Sequence, residues 1–315
     1  MMKIVPRLGA PLAAALALSA LVSGCGSADR PAAPRSDTAA LTASVSAQEA
    51  VTRRIARLET TRHVRIGAYA IDTGTGRAVS HRAHERFPFT STFKAMACGA
   101  VLRKARRAAP GLLDKVIHYT EDDLVDYSPV TEKHVADGMT VADLCHAGIT
   151  QSDNTAGNLV LKQIGGPAGL TAFLRTLGDR VSRSDRWETA LNEWKPGEKR
   201  DTTTPRPWAN DLRALTTGDA LVPADRTRLI GWMKANETGD KRIRAGLPKG
   251  WTVGDKTGSG GVHGNANDIA IAYPPSGAPL IIVITTTRPK PDAAADDKAI
   301  AQTAAILTRA LHPAP

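Results

Sequence analysis

The 315-residue chain is 42% hydrophobic and 23% charged, which is enough apolar material for one large core or two closely packed lobes and too much for a disordered chain. Its net charge of +10 raises the question of a nucleic-acid partner. The basic residues are scattered among Ala, Gly and Pro, and no basic helix alternates with exposed aromatics, so nucleic-acid binding is set aside.

The first elements concern targeting. Lys3 and Arg7 precede an apolar stretch from Leu12 to Val22 that ends in Leu21-Val22-Ser23-Gly24-Cys25. So short an apolar core with small residues at its end predicts a secretory signal over residues 1–24 rather than a membrane span. The small pair before Cys25 resembles the bacterial lipobox, in which Cys25 is lipidated and becomes the new N-terminus; an ordinary signal that leaves Cys25 free is the alternative. On the lipobox reading the protein is exported and held on the outer side of the cell membrane, with release a further outcome. Residues 25–46, rich in Ala, Pro and Ser, read as a flexible tether.

Residues 47–63 place Val51, Ile55 and Leu58 on one face of an amphipathic helix. Val64–Ile71 reads as a strand, Asp72–Gly76 as a turn, and Arg77–His81 as the start of a returning strand. Helical and loop patterns fill roughly residues 90–235. Strand character returns at Trp251–Gly254, Asn267–Tyr273 and Leu280–Thr287, and Ala294–Leu311 closes as a helix. The expected fold is α+β: an antiparallel sheet of about five strands drawn from both chain ends, flanked by helices, with an all-helical lobe inserted in the middle. The groove between lobe and sheet is a natural ligand site.

Two cysteines remain besides Cys25. In an exported chain Cys98 and Cys145 can pair as a disulfide or stay buried as thiols. The cysteines and histidines show no metal-ligand spacing, and His81 and His84 read as surface or hairpin residues.

Ser91-Thr92-Phe93-Lys94 opens a helix, and the spacing of three sets Ser91 beside Lys94 on one face. A serine needs an adjacent base to become a nucleophile, and a lysine shielded from water can supply one. Alone the pattern is common, since a capping serine followed by a surface lysine gives the same letters. Ser152-Asp153-Asn154 follows, then Lys256-Thr257-Gly258 at the start of a strand. The three together, in this order, resemble the signature of the penicillin-recognising serine enzymes. Arg186-Trp187-Glu188-Thr189-Ala190-Leu191-Asn192 is similar to the loop of class A β-lactamases that holds the hydrolytic water.

The resemblance covers roughly residue 47 to the C-terminus and implies a serine β-lactamase acting on penicillins and cephalosporins. It implies Ser91 as nucleophile, Lys94 or Glu188 as acylation base, Ser152 as proton donor to the departing nitrogen, and Glu188 with Asn192 as the deacylation pair. The Ser91 and Ser259 amides would form the oxyanion hole. Lys256, Thr257, Ser259 and Arg242 would meet the substrate carboxylate, Gly258 would belong to the same substrate-binding strand, Asn154 would meet the acylamino side chain, and Tyr127 would wall the site. Arg242 is preferred because Ala266 stands where other members carry their arginine on the strand. Many members pair the cysteines that Cys98 and Cys145 match, and Arg186 with Asp201 matches a pair tying the catalytic loop. Thr189 replaces a frequent proline. No metal or organic cofactor is implied, and a monomer is expected. A D-alanyl-D-alanine peptidase or transpeptidase, which lacks the deacylating carboxylate, and a β-lactam sensor that stays acylated are the other readings.

Overall fold

A computed structural model of the chain describes residues 36–313, with side chains from residue 45 onward. The predicted signal, Cys25 and the first part of the tether lie outside the described residues. The described residues from Leu41 onward form one compact unit.

In chain order the elements are α1 (Ser36–Arg62), β1 (Arg65–Asp72), β2 (Ala78–His81), β3 (Phe87–Pro88), α2 (Phe93–Arg107), β4 (Val116–Ile117), β5 (Met139–Thr140), α3 (Val141–Thr150), α4 (Asn154–Gln163) and α5 (Gly166–Thr176). There follow β6 (Thr202–Thr203), α6 (Pro205–Thr216), α7 (Pro223–Lys234), α8 (Ile243–Gly246), β7 (Thr252–Ser259), β8 (Ala266–Tyr273), β9 (Leu280–Thr287) and α9 (Asp297–Leu311). The main sheet has the order β2-β1-β9-β8-β7 and is antiparallel throughout, so both chain ends share it as expected.

Period-two alternation along the strands divides the interior into two cores. From β9, Ile281 and Val283 join Tyr69, Ile71, Ile269 and Ile271 against Phe89, Phe93, Leu212 and the rest of the helical lobe. Leu280, Ile282 and Ile284 point the other way, with Ala68, Ala70, Ala270 and Ala272, onto Ile55 of α1 and Ile300 and Leu307 of α9. Alanines on this second face keep the surface flat enough for two helices to lie across it. Because both faces are covered, β9 is buried at all eight positions, and the continuous apolar run that marked it in the sequence follows. Each fully buried Ile or Leu contributes roughly 1.5–3 kcal/mol.

Boundaries shift in three places. Helix α1 begins at Ser36 rather than near residue 47, in keeping with the helix-favouring alanines of the expected tether. Helix α9 begins at Asp297, because Asp296 caps it by accepting from the Ala299 amide (3.1 Å). Strand β7 runs on through Ser259, so Lys256-Thr257-Gly258 lies in its second half and not at its start.

Candidate active site

The nucleophile turn is built before the helix starts. Thr90–Thr92 forms a buried 3-10 turn, and α2 begins only at Phe93, so Ser91 precedes the α-helix that the sequence suggested it opens. Thr90 holds a positive φ of 45°, a costly state for a β-branched residue. Its neighbours hold it there: Asn267 donates to Pro88 O (2.8 Å) and Thr90 Oγ1 (3.0 Å), while Trp208 Nε1 donates to Thr92 Oγ1 (3.0 Å) and stacks on Phe89. Gly258 lets β7 pass close by. A Cβ there would collide with Thr90 Oγ1 and come within 3.1 Å of Ser91 N.

Around Ser91 the predicted residues converge. Lys94 Nζ donates to Ser91 Oγ (2.9 Å), and Ser91 Oγ donates to Glu188 Oε1 (3.2 Å). Lys94 Nζ also lies within hydrogen-bond distance of Ser152 O (2.9 Å), Asn154 Oδ1 (2.6 Å) and Glu188 Oε1 (3.0 Å). Burial pushes the Lys94 pKa below the ordinary lysine value, and the Glu188 charge opposes that fall. Asn192 Nδ2 donates to Glu188 Oε2 at 2.7 Å, so one carboxylate joins nucleophile, lysine and asparagine.

On the sheet side Lys256 Nζ donates to Ser152 Oγ (3.0 Å) and Thr257 O (2.8 Å). Burial first, then the like charge of Lys94, pushes the Lys256 pKa well down, against the pull of Asp255 and Asp268. Arg242 is buried and not a solvent-facing cation. It donates to Asp297 Oδ1 (2.8 Å), Gly258 O (2.8 Å), Asn267 O (2.8 Å) and Ser259 Oγ (2.7 Å), which sets its guanidinium at the end of β7. Tyr127 is exposed beside the site, with its carbonyl accepting from Asn154 N (3.0 Å). Asn154 Nδ2 donates to Asp126 O (2.8 Å). Asp153 caps α4 and accepts from Val130 N and Thr131 N (3.0 and 2.9 Å), so its role is to hold the loop that carries Tyr127.

The loop bearing Glu188 is tied at its base. Arg186 Nε donates to Asp201 Oδ2 (2.6 Å), whose other oxygen accepts from the Asp185 and Arg186 amides (2.8 and 3.0 Å). The Glu188–Thr189 peptide is cis. The sequence reading missed Asn158, which accepts from Glu188 N (2.9 Å) and donates to Glu188 O (3.0 Å). Its signal was available, since Asn158 is one helical turn beyond Asn154 on α4. Also missed was Thr238, hydrogen-bonded to Thr257 Oγ1 and to Asn236, which in turn donates to Asp255 (2.6 Å).

The disulfide is not formed in this structure: Cys98 and Cys145 are buried free thiols, with Cys98 Sγ 3.8 Å from the Cys145 carbonyl oxygen. His84 is exposed, while His81 is part-buried against Glu59 (3.1 Å).

This arrangement can attack a carbonyl with serine, protonate a leaving group and hold a carboxylate base over the adduct. Known proteins agree. A sequence profile of the β-lactamase enzyme family matches residues 50–311. Beta-lactamase FAR-1 of Nocardia farcinica is 51% identical over 299 residues, 95% of either chain. A crystal structure of a β-lactamase from Streptosporangium roseum superposes with a TM-score of 0.82 at 61% identity, covering 83% of this chain and 98% of that one. A class A β-lactamase representing the last common ancestor of Gram-negative bacteria gives 0.80 at 53%, covering 84% and 100%. With the Ser91 cluster in place on this fold, the chain belongs to the β-lactamase enzyme family, class A, whose reaction is hydrolysis of the β-lactam ring.

Proposed function

We propose that Ser91 opens the β-lactam ring and carries the acyl group, that Ser152 hands a proton to the departing lactam nitrogen, and that Glu188 with Asn192 activates the water that frees the product. The carbonyl carbon gains the Ser91 Oγ bond, the C–N bond breaks, and the serine proton leaves through Lys94 or Glu188. The observation that carries this reading is the shared reach of Lys94 and Glu188 onto Ser91 Oγ (2.9 and 3.2 Å). Lys256, touching Ser152 Oγ at 3.0 Å, is suited to ease proton delivery to the nitrogen. Arg242, Ser259 and Thr257 supply donors for the substrate carboxylate, Asn154 a polar partner for the acylamino group, and the Ser91 and Ser259 amides the oxyanion donors, each worth about 3 kcal/mol of barrier.

Steady-state turnover of a chromogenic cephalosporin tests the reading. Sustained hydrolysis supports it. A burst without turnover would favour a peptidase or a sensor that stays acylated. The same reading takes penicillins and cephalosporins as substrates and antibiotic resistance as the consequence, with the chain a monomer. The charged start, apolar stretch and small residues before Cys25 support export, lipidation at Cys25 and a location on the outer side of the membrane; globomycin-sensitive processing in cells tests this. In that compartment Cys98 and Cys145 are proposed to oxidise to a disulfide, which the contact of Cys98 with the Cys145 backbone supports.

A further inference from the structure

A cavity of about 430 Å³ lies behind the catalytic loop, lined by Arg65, Arg86, Trp194, Lys199, Arg288 and Pro289 among others. We propose that this cavity is a binding site for a small organic anion with an apolar body, of the arene-carboxylate class, separate from the Ser91 groove.

The charge balance favours an anion. Four cations line the cavity against two carboxylates, Glu85 and Glu198. Both carboxylates are already engaged, Glu85 with Arg65 (2.7 Å) and Arg82 (3.0 Å), and Glu198 with Arg200 (2.7 Å). Arg288 is paired with Asp296 (2.8 Å). Arg86 makes no ion pair among the described residues: it donates to Thr202 Oγ1 (2.9 Å) and Val181 O (3.0 Å). Burial first, then the nearby Arg183, pushes its pKa down, against the opposing charge of Asp179. Lys199 is exposed and makes no ion pair among the described residues.

Donors without acceptors point the same way. Trp194 is only 7% exposed, and among the described residues its Nε1 has no acceptor and Arg288 Nε is likewise buried without one. Buried N–H groups left unpaired cost free energy, and an acceptor admitted beside these two lining side chains would lower that cost. The apolar half of the ligand follows from the walls, since the Trp194 indole, Pro196 and Pro289 offer flat hydrocarbon surface. The volume suits a one- or two-ring ligand. Trp194 is two residues beyond Asn192, so the cavity backs the loop that carries Glu188.

The test uses the full chain and does not depend on turnover. The indole N–H resonance of Trp194, assigned through Trp194→Phe, is followed while 1-naphthoate, 1-naphthamide or inorganic phosphate is added. Saturable movement with 1-naphthoate is expected, with little from the amide or from phosphate. Lys199→Glu, a change at an exposed residue, should weaken the apparent affinity at least about threefold. The proposal is overturned if naphthoate moves only resonances of the Ser91 groove such as the Ser259 amide, if the amide or phosphate matches it, or if Lys199→Glu leaves the titration unchanged.

Discussion

Lys94 Nζ stands 3.0 Å from Glu188 Oε1, with the two side chains 1% and 0% exposed, and each reaches the same serine oxygen. Burial lowers the Lys94 pKa and the Glu188 charge is the largest influence raising it, so removing that charge leaves the lysine more readily neutral. Glu188→Ala is therefore expected to acylate on Ser91, with the rising limb of acylation against pH displaced to lower pH, and then to stall. Intact-mass measurement after adding benzylpenicillin should show a long-lived adduct, and stopped-flow acylation across pH reads the displacement. Rapid return to the unmodified mass would remove Glu188 as the deacylation base, and loss of acylation itself would remove Lys94 as a sufficient one.

Cys98 and Cys145 bring α2 and α3 together inside the helical lobe, and a bridge between them would close a long loop. Protein collected from outside the cytoplasm is expected to show no titratable thiol at these positions when denatured without reductant. The oxidised form should be about 2–4 kcal/mol more stable than the reduced one. Two free thiols from exported material would return the pair to ordinary core packing.

Asp211, on α6, is buried, and among the described residues neither carboxylate oxygen accepts a hydrogen bond. Burial and the neighbouring Asp179 push its pKa well above 3.8. A carboxyl whose folded pKa is raised binds its proton more tightly when folded. Its contribution is therefore fully present at low pH and is lost as pH rises from about 3.8 through the folded value. Asp211→Asn, which keeps the neutral shape at all pH, should raise the melting temperature at pH 7 to 8, with the gain shrinking toward pH 4. An equal or opposite change at both ends would show that Asp211 ionises without penalty.

Much of the site was legible because its chemistry demands particular residues at particular intervals. Ser91, Lys94, Ser152, Glu188 and Asn192 could be picked out by identity, and the structure brings all five together. The supports were less legible, because they are polar residues whose partners lie far along the chain. Asn267 reaches Thr90 across 177 positions and Asn236 meets Asp255 from another element, and nothing local announces either. The extent of β7 was obscured for a related reason. Asp255 and Lys256 read as a strand end by their charge, yet both are fully buried because Arg244, Asn236 and Ser152 engage them from neighbouring elements. The apolar runs of β1, β8 and β9 were legible by pattern alone, although β8 also carries the buried Asn267 and Asp268, whose partners lie far along the chain.

Arg244 illustrates a support whose loss is felt in the fold. Its guanidinium meets Asp255 at 2.6 Å, and Asp255 is 0% exposed. Arg244→Ala leaves that carboxylate with Asn236 as its remaining side-chain donor. Removing one partner of a buried pair costs about 3 kcal/mol, somewhat less here because Arg244 is partly solvated. A fall in melting temperature of about 5–10 °C is expected. An unchanged melting temperature would mean that Asp255 is held neutral without its arginine.

Arg242 makes the contrasting prediction. Lys256 offers the substrate carboxylate only a point charge, whereas a guanidinium presents a planar fork of donors. Ala266 occupies the neighbouring strand and supplies no cation, while Arg242 arrives from the residue before α8, with its head fixed by the carbonyls of Gly258 and Asn267 and its Nη2 on Ser259 Oγ. Those contacts orient the fork at the end of β7 beside the hydroxyl expected to bind the same carboxylate. Arg242→Ala is thus expected to lower kcat/KM for penicillins at least ~10-fold, about 1.4 kcal/mol of transition-state binding. Because Arg242 also braces β7, Arg242→Lys separates the two roles: a lysine keeps the charge and part of the bracing but loses the fork. A lysine variant with a near-native melting temperature and most of the kinetic loss would assign that loss to carboxylate recognition. Arg244→Ala, measured at 25 °C where it stays folded, should reduce kcat/KM much less. Equal small losses from Arg242→Ala and Arg244→Ala would strip Arg242 of the carboxylate role and leave it as a brace of the sheet edge.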